Sequence, residues 1–101
     1  MTKDAEKLLY CLYGIFKEKN KTESREEAKD MTTAEITEKC ISIFNSEDVY
    51  DLLMELEENQ YITTDVIGGV YLENSAIITI ENKPKEVLNE IIDLISKLKF
   101  F

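Results

Sequence analysis

The fold is decided by residues 45–73, NSEDVYDLLMELEENQYITTDVIGGVYLE, whose spacing changes halfway from helical to extended. In the first half, apolar side chains recur at the spacing of one buried helix face: Val49, Leu52, Leu53 and Leu56. Asn45 or Ser46 is a suitable N-cap, and the acids that follow suit the positive end of the helix dipole. The stretch therefore begins with a predicted helix.

The second half of this stretch has the composition of a β-hairpin. A strand is expected from Tyr61 to Val66, a turn at Ile67-Gly68-Gly69, and a return strand from Val70 to Glu73. Glycine adopts the positive φ that tight hairpin turns require. The hairpin tip carries no basic residue that would grip a phosphate.

Two helices are predicted upstream. Thr2 can cap the first, which runs to about Lys19 with an apolar arc wider than one core face needs, and Gly14 within it indicates a close helix–helix approach. Thr32 and Glu35 fit a capping box that starts a short helix ending near Cys40 or Ile41. Between them, residues 20–30 have one alanine and no other apolar side chain, which predicts a mobile loop with at most a frayed helical turn.

The C-terminal third contains one ambiguous segment and one clear helix. Residues 74–81, NSAIITIE, have the β-branched content of a third strand, whereas Asn74 or Ser75 could equally cap a helix. Pro84 suits the first turn of the last helix. That helix carries two adjacent apolar stripes, which usually means two packing partners: Val87, Leu88, Ile91, Ile92, Leu94, Ile95 and Leu98.

Helix, helix, helix and hairpin is the element order of a winged helix. At 101 residues and 44% hydrophobic content, the chain has the size and composition of one domain. We therefore expect residues 1–101 to form a single α+β, mainly α domain: a winged helix-turn-helix with three helices, a β-hairpin wing and a long C-terminal helix. Without an apolar run of membrane-spanning length or a signal-peptide pattern, the sequence predicts a cytoplasmic protein that does not contact membranes.

The composition argues against catalysis. There is no histidine, the usual general base and commonest transition-metal ligand. Cys11 and Cys40 form no CxxC pair and are interpreted as small core residues. Carboxylate pairs such as Asp51 and Glu55 lie on an expected solvent face, without the burial that tunes a catalytic pKa. We expect no enzyme activity, metal or cofactor.

The charge is concentrated in the middle of the chain. The net charge is −9, and residues 32–82 hold one base, Lys39, against eleven acids, while the two flanking segments are nearly balanced. A field of that sign repels phosphates and attracts cations or basic partners. Four acids of the third helix lie opposite its buried side and are called the acidic face: Glu47, Asp51, Glu55 and Glu58.

The segment Leu53–Ile80 resembles small bacterial and archaeal winged-helix proteins of the MarR/PadR-like kind. In those, a helix ending in a pattern like LEENGYI leads into a hairpin, and a YLT-x-x-G-I phrase starts the next helix. Here residues 56–62 are LEENQYI and residues 71–77 are YLENSAI. The resemblance implies a winged helix and favours a helix after Ser75. The DNA-contacting roles of the family's third helix do not carry over, because acids occupy the matching positions.

Three functional hypotheses follow. The first is a non-catalytic protein-interaction module, most simply a homodimer formed through the first and last helices. Its candidate interface residues are Leu9, Tyr13, Phe16, Leu94, Leu98 and Phe101. The alternative is that the apolar surfaces of the first and last helices are both buried in the core of a single chain.

The second hypothesis is a DNA-binding transcriptional regulator that contacts phosphates through basic residues of the first helix and the following loop: Lys17, Lys19, Lys21 and Arg25. The third is that the acidic surface mimics nucleic acid or docks on a basic protein. The alternative to this third hypothesis is that the acids form an ordinary solvated surface that only increases solubility.

Overall fold

The computed structural model describes residues 1–100 as an α+β, mainly helical structure with six helices and one three-stranded antiparallel sheet. The helices are α1 (Lys3–Lys19), α2 (Arg25–Lys29), α3 (Thr33–Lys39), α4 (Ser46–Glu58), α5 (Asn74–Glu81) and α6 (Lys85–Ile95). The strands are β1 (Asp30–Thr32), β2 (Ile62–Thr64) and β3 (Gly69–Leu72).

The sheet joins the predicted hairpin to a strand from much earlier in the chain. Its order is β1-β3-β2, so β3 is central; Thr64 lies opposite Val70 in the hairpin, and Met31 pairs with Val70 from the other side. The hairpin is confirmed; β2 is shorter than the sequence predicted, and β3 has the predicted length but begins one residue earlier, at Gly69. Segment 74–81 is helical, as the resemblance implied.

Helix α1 is the centre of the fold. The Thr2 hydroxyl caps it by accepting a hydrogen bond from the Ala5 amide at 3.2 Å, and the other five helices and β3 surround it. A methyl group at Gly14 would lie 2.7 Å from Ile95 Cγ1, which confirms the close helix approach predicted there. Cys11 and Cys40 are both buried, as predicted, and their mutual hydrogen bond together with burial raises the pKa of the Cys11 thiol.

The wide apolar surface of α1 is therefore buried in the chain's own core. Leu9 and Phe16 are buried in the core, and Leu98, beyond the end of α6, is almost completely buried. Placing these three residues at a dimer interface was wrong, because their side chains are already covered by the chain's own helices. A broad apolar arc on one helix does not distinguish a central core helix from a shared one.

Residues 20–30 are also more ordered than predicted. The Ser24 hydroxyl caps α2 by accepting from the Glu27 amide at 3.1 Å, and β1 begins at Asp30. Lys29 is only 1% exposed; its ammonium lies 2.8 Å from the Glu26 carboxylate and 5.9 Å from the centre of the Tyr71 ring. The prediction of a mobile loop was wrong because a lysine stem can be buried when its charge is paired.

Candidate interaction surfaces

The outer side of α4 carries most of the acidic face, as expected. Glu47, Asp51 and Glu58 are exposed. Glu55 is half-buried instead, because its carboxylate accepts hydrogen bonds from the Thr2 amide at 2.5 Å and the Thr2 hydroxyl at 2.9 Å. Glu55 thus ties α4 to the start of α1, and three acids remain free on this surface.

Two apolar side chains that the sequence analysis did not single out lie among these acids. Tyr50 is 64% exposed and Met54 is 48% exposed. They are four residues apart, so they lie one above the other on the helix surface. The signal was present in the sequence, since both positions fall outside the face formed by Val49, Leu53 and Leu56.

Three side chains fix the hairpin: Glu57 and Thr33 join it to α4 and α3, and Asp65 closes its turn. Glu57 accepts hydrogen bonds from the Thr64 amide at 2.9 Å and the Thr64 hydroxyl at 2.8 Å, and these bonds lower the pKa of its carboxyl group. Asp65 closes the turn by accepting from the Gly69 amide at 2.7 Å, and the Thr33 hydroxyl donates to the Gly68 carbonyl at 3.1 Å. The tip is therefore held in one position, although Val66 and Ile67 at its end are fully exposed.

A cleft of about 580 Å³ lies between α4 and the hairpin tip, and we call it the α4–hairpin cleft. Thr33 lies in its wall, Tyr50 and Met54 contribute from α4, and Asp65 and Val66 contribute from the hairpin. Among the described residues, no lysine or arginine lines it. The cleft thus combines exposed apolar side chains with exclusively acidic charges.

Helix α6 leaves much of its apolar surface uncovered. It packs mainly against α1, and of its apolar side chains only Ile91 is fully buried. Four others are half-buried: Val87, Leu88, Leu94 and Ile95. Ile92 is 62% exposed. The two apolar stripes predicted for this helix are therefore only partly buried by packing within the chain.

The remaining dimer-interface candidates differ in accessibility. Tyr13 is half-buried, and its hydroxyl donates to Glu81 on α5 at 2.9 Å. Leu94 lies in a groove of about 450 Å³ between α1 and α6, next to Tyr10. Phe101 lies outside the described residues. Of the predicted interface residues, Tyr13 and Leu94 thus keep some accessible surface.

The basic residues predicted to contact phosphate do not form a continuous patch of exposed, unpaired charges. Lys17 and Lys21 are exposed, with Lys21 paired to Glu18 at 2.8 Å. Lys19 is partly buried, donates to the Asp30 carbonyl and lies 3.5 Å from the Glu35 carboxylate. The Arg25 guanidinium lies 5.3 Å from the centre of the Phe16 ring. The Lys17 ammonium lies 6.0 Å from the centre of the Tyr13 ring, so all four bases have a contact within the fold.

Two tyrosines of α1 predict how the stability of the fold depends on alkaline pH. Burial, with a hydrogen bond to Glu6 for Tyr10 and to Glu81 for Tyr13, raises the pKa of each phenol from 10.0 to about 12. The folded state therefore holds these protons more tightly than the unfolded state, so their contribution is complete below pH 10 and is lost between about pH 10 and 12. We expect the melting temperature of the Tyr10→Phe/Tyr13→Phe variant to fall less steeply between pH 9 and about pH 11 than that of the wild type. Equal slopes in circular dichroism melts would contradict this assignment.

Within residues 1–100, no helix is long and apolar enough to cross a membrane, and no three metal-binding side chains are grouped to hold an ion. Comparisons of the chain with protein-family models, curated proteins and solved structures gave no significant match. Function must therefore be argued from the chain's own surfaces.

Proposed function

We propose that the chain is a cytoplasmic, non-catalytic protein-interaction module with a winged-helix fold, which self-associates through α6. The winged-helix assignment is supported by the order α1, β1, α3, α4 and then the β2–β3 hairpin, with β1 pairing to the hairpin as a third strand. In this arrangement α3 and α4 form the helix-turn-helix, and the hairpin is the wing.

The observation that carries self-association is the uncovered apolar side of α6. Covering half-buried and exposed isoleucine and leucine side chains is favourable by about 25 cal/mol for each Å² removed from water. Ile92 is the most exposed of these side chains on α6. A second copy offers the same apolar stripe, so a twofold arrangement of two α6 helices covers both at once. The buried arc of α1 plays no part in this interface.

A DNA-binding regulator is the competing function, and charge argues against it. In a winged helix the position of α4 is the one that enters the major groove, and here that helix presents Glu47, Asp51 and Glu58. Phosphate neutralisation supplies most of the affinity for duplex DNA, and carboxylates cannot provide it. Lys17 and Lys21 are exposed, but Lys17 lies over the Tyr13 ring and Lys21 is paired with Glu18, and they do not compensate for a net charge of −9.

Sedimentation velocity over a dilution series in the micromolar range tests the proposal. We expect the weight-average sedimentation coefficient to rise with concentration toward that of a dimer. A strict monomer at every concentration would overturn self-association. A salt-dependent mobility shift of duplex DNA at low ionic strength would support the regulator instead.

A further inference from the structure

We propose that the α4–hairpin cleft binds a lysine- or arginine-rich segment of another protein, which inserts an apolar side chain between Tyr50, Met54 and Val66. This inference rests on the proposed function, because it requires an interaction module. It concerns a different surface from α6, so the two can fail separately.

The walls of the cleft offer apolar anchors on two sides. Tyr50 and Met54 stand on α4, and Val66 stands on the hairpin tip opposite them. All three are exposed. Tyrosine and methionine are enriched in protein interfaces, where large side chains fill pockets of the partner. A cleft with such walls suits an apolar side chain from outside.

The acids beside the cleft specify the rest of the partner. Glu47, Asp51 and Glu58 do not line the cleft, but each lies three or four residues from Tyr50 or Met54 on the surface of α4. Three acids near the cleft already accept hydrogen bonds within the fold. Glu57 accepts from Thr64, Asp65 accepts from the Gly69 amide in the hairpin turn, and Glu55 accepts from Thr2. Four exposed acids of α4 have no side-chain hydrogen-bond or ion-pair partner among the described residues: Glu47, Asp48, Asp51 and Glu58. From residue 40 to residue 82 the sequence contains no lysine or arginine. The complementary ligand is therefore a cationic segment, and a nucleic acid backbone is repelled.

A second copy of this chain fits the cleft poorly. Each copy carries a net charge of −9, so approach of two copies through their acidic surfaces is opposed by like-charge repulsion. Residues 17–29 of the chain hold five bases against four acids, with one alanine and no other apolar side chain, so they supply neither the charge nor the apolar anchor. The occupant is thus a different protein.

The cleft is also preorganised. The bonds from Thr64 to Glu57 and from Thr33 to Gly68 hold the hairpin wall at a fixed distance from the helices. Walls that are already in place lose little conformational entropy when a ligand binds. We therefore expect binding without a rearrangement of the backbone.

Fluorescence anisotropy with labelled synthetic peptides tests the inference. The probe is an amphipathic peptide of lysine and leucine, and its companions replace leucine by serine or lysine by glutamate. We expect only the lysine–leucine peptide to bind at low ionic strength. The Tyr50→Ser/Met54→Ser variant and the Glu47→Lys/Asp51→Lys/Glu58→Lys variant should each weaken binding by about tenfold or more, or about 1.4 kcal/mol.

Matched variants separate the cleft from general effects. Glu23→Lys/Glu38→Lys/Glu90→Lys makes the same charge change at exposed positions outside the cleft and should reduce binding far less. Tyr50→Phe/Met54→Leu keeps the apolar anchors and should retain affinity. Circular dichroism confirms that each variant is folded before its affinity is compared.

Two results would overturn the inference. The first is equal binding of the lysine–serine peptide, or equal losses from both charge-reversal variants, because either means that net charge alone attracts the peptide. The second is direct binding of labelled duplex DNA, without peptide, that the Tyr50→Ser/Met54→Ser variant weakens, which would assign the surface to nucleic acid. The Ile92→Glu variant should lose self-association but bind the peptide normally. That result would support peptide binding at the cleft independently of self-association through α6.

Discussion

Replacing Phe16 by alanine is expected to lower the free energy of unfolding by about 3–5 kcal/mol. The Phe16 side chain is fully buried, its ring centre lies 6.2 Å from that of Tyr13, and the Arg25 guanidinium covers its face. Truncation removes the transfer energy of the ring and leaves a cavity beside the central helix. Domains of this size are stable by about 5–15 kcal/mol, so the substitution should remove a large part of the free energy of unfolding. Urea denaturation followed by circular dichroism measures the change.

Tyr50→Ala is the matched control, because it truncates an aromatic side chain of similar size that is exposed on α4. A surface change of this kind should alter stability by about 0.5 kcal/mol or less. If Phe16→Ala left stability unchanged and instead weakened self-association, the central position of α1 would be wrong and its apolar arc would belong to an interface.

The second large effect is expected from Ile92→Glu, which should weaken self-association by about a hundredfold or more. In a twofold interface the substitution occurs on both copies, so two carboxylates would lose solvation in an apolar contact. Stability of the monomer should hardly change, because Ile92 is exposed. Sedimentation equilibrium at several concentrations measures the dissociation constant.

Met54→Glu provides the control for that measurement. It introduces the same charge at an exposed apolar position, but on α4 rather than α6. It should leave the dissociation constant unchanged. Equal weakening by both variants would mean that added negative charge, and not the α6 surface, opposes association.

The local parts of the fold could be predicted from sequence because their signals lie within a few residues. The α4 face, the Gly68-Gly69 turn and the Thr32 cap each depend on neighbouring side chains, and the structure contains all three. Strand β1 could not be found this way, because its three residues become a strand only by pairing with β3, about forty residues later. The burial of Lys29 depends equally on its distant neighbour Tyr71.

The interaction surfaces were predictable only in part. Charge counting located the acidic residues of α4, since exposed carboxylates need no partner to be placed correctly. Glu55 departs from this pattern because it bonds to Thr2, a contact between residues 53 positions apart. The α1 residues were misassigned for a related reason: apolar spacing shows that a face is covered, but not whether the cover comes from the same chain or from another.

Whether two copies associate through α6 can be read residue by residue from NMR chemical shifts measured on dilution. A ¹⁵N-labelled sample is diluted through the micromolar range, and the backbone amide shifts are followed residue by residue. We expect the largest concentration-dependent changes within Lys85–Ile95, centred on Ile92, with little change in α4 and the hairpin. Shifts that do not change on dilution, or changes confined to the α4–hairpin cleft, would show that α6 is not a self-association surface.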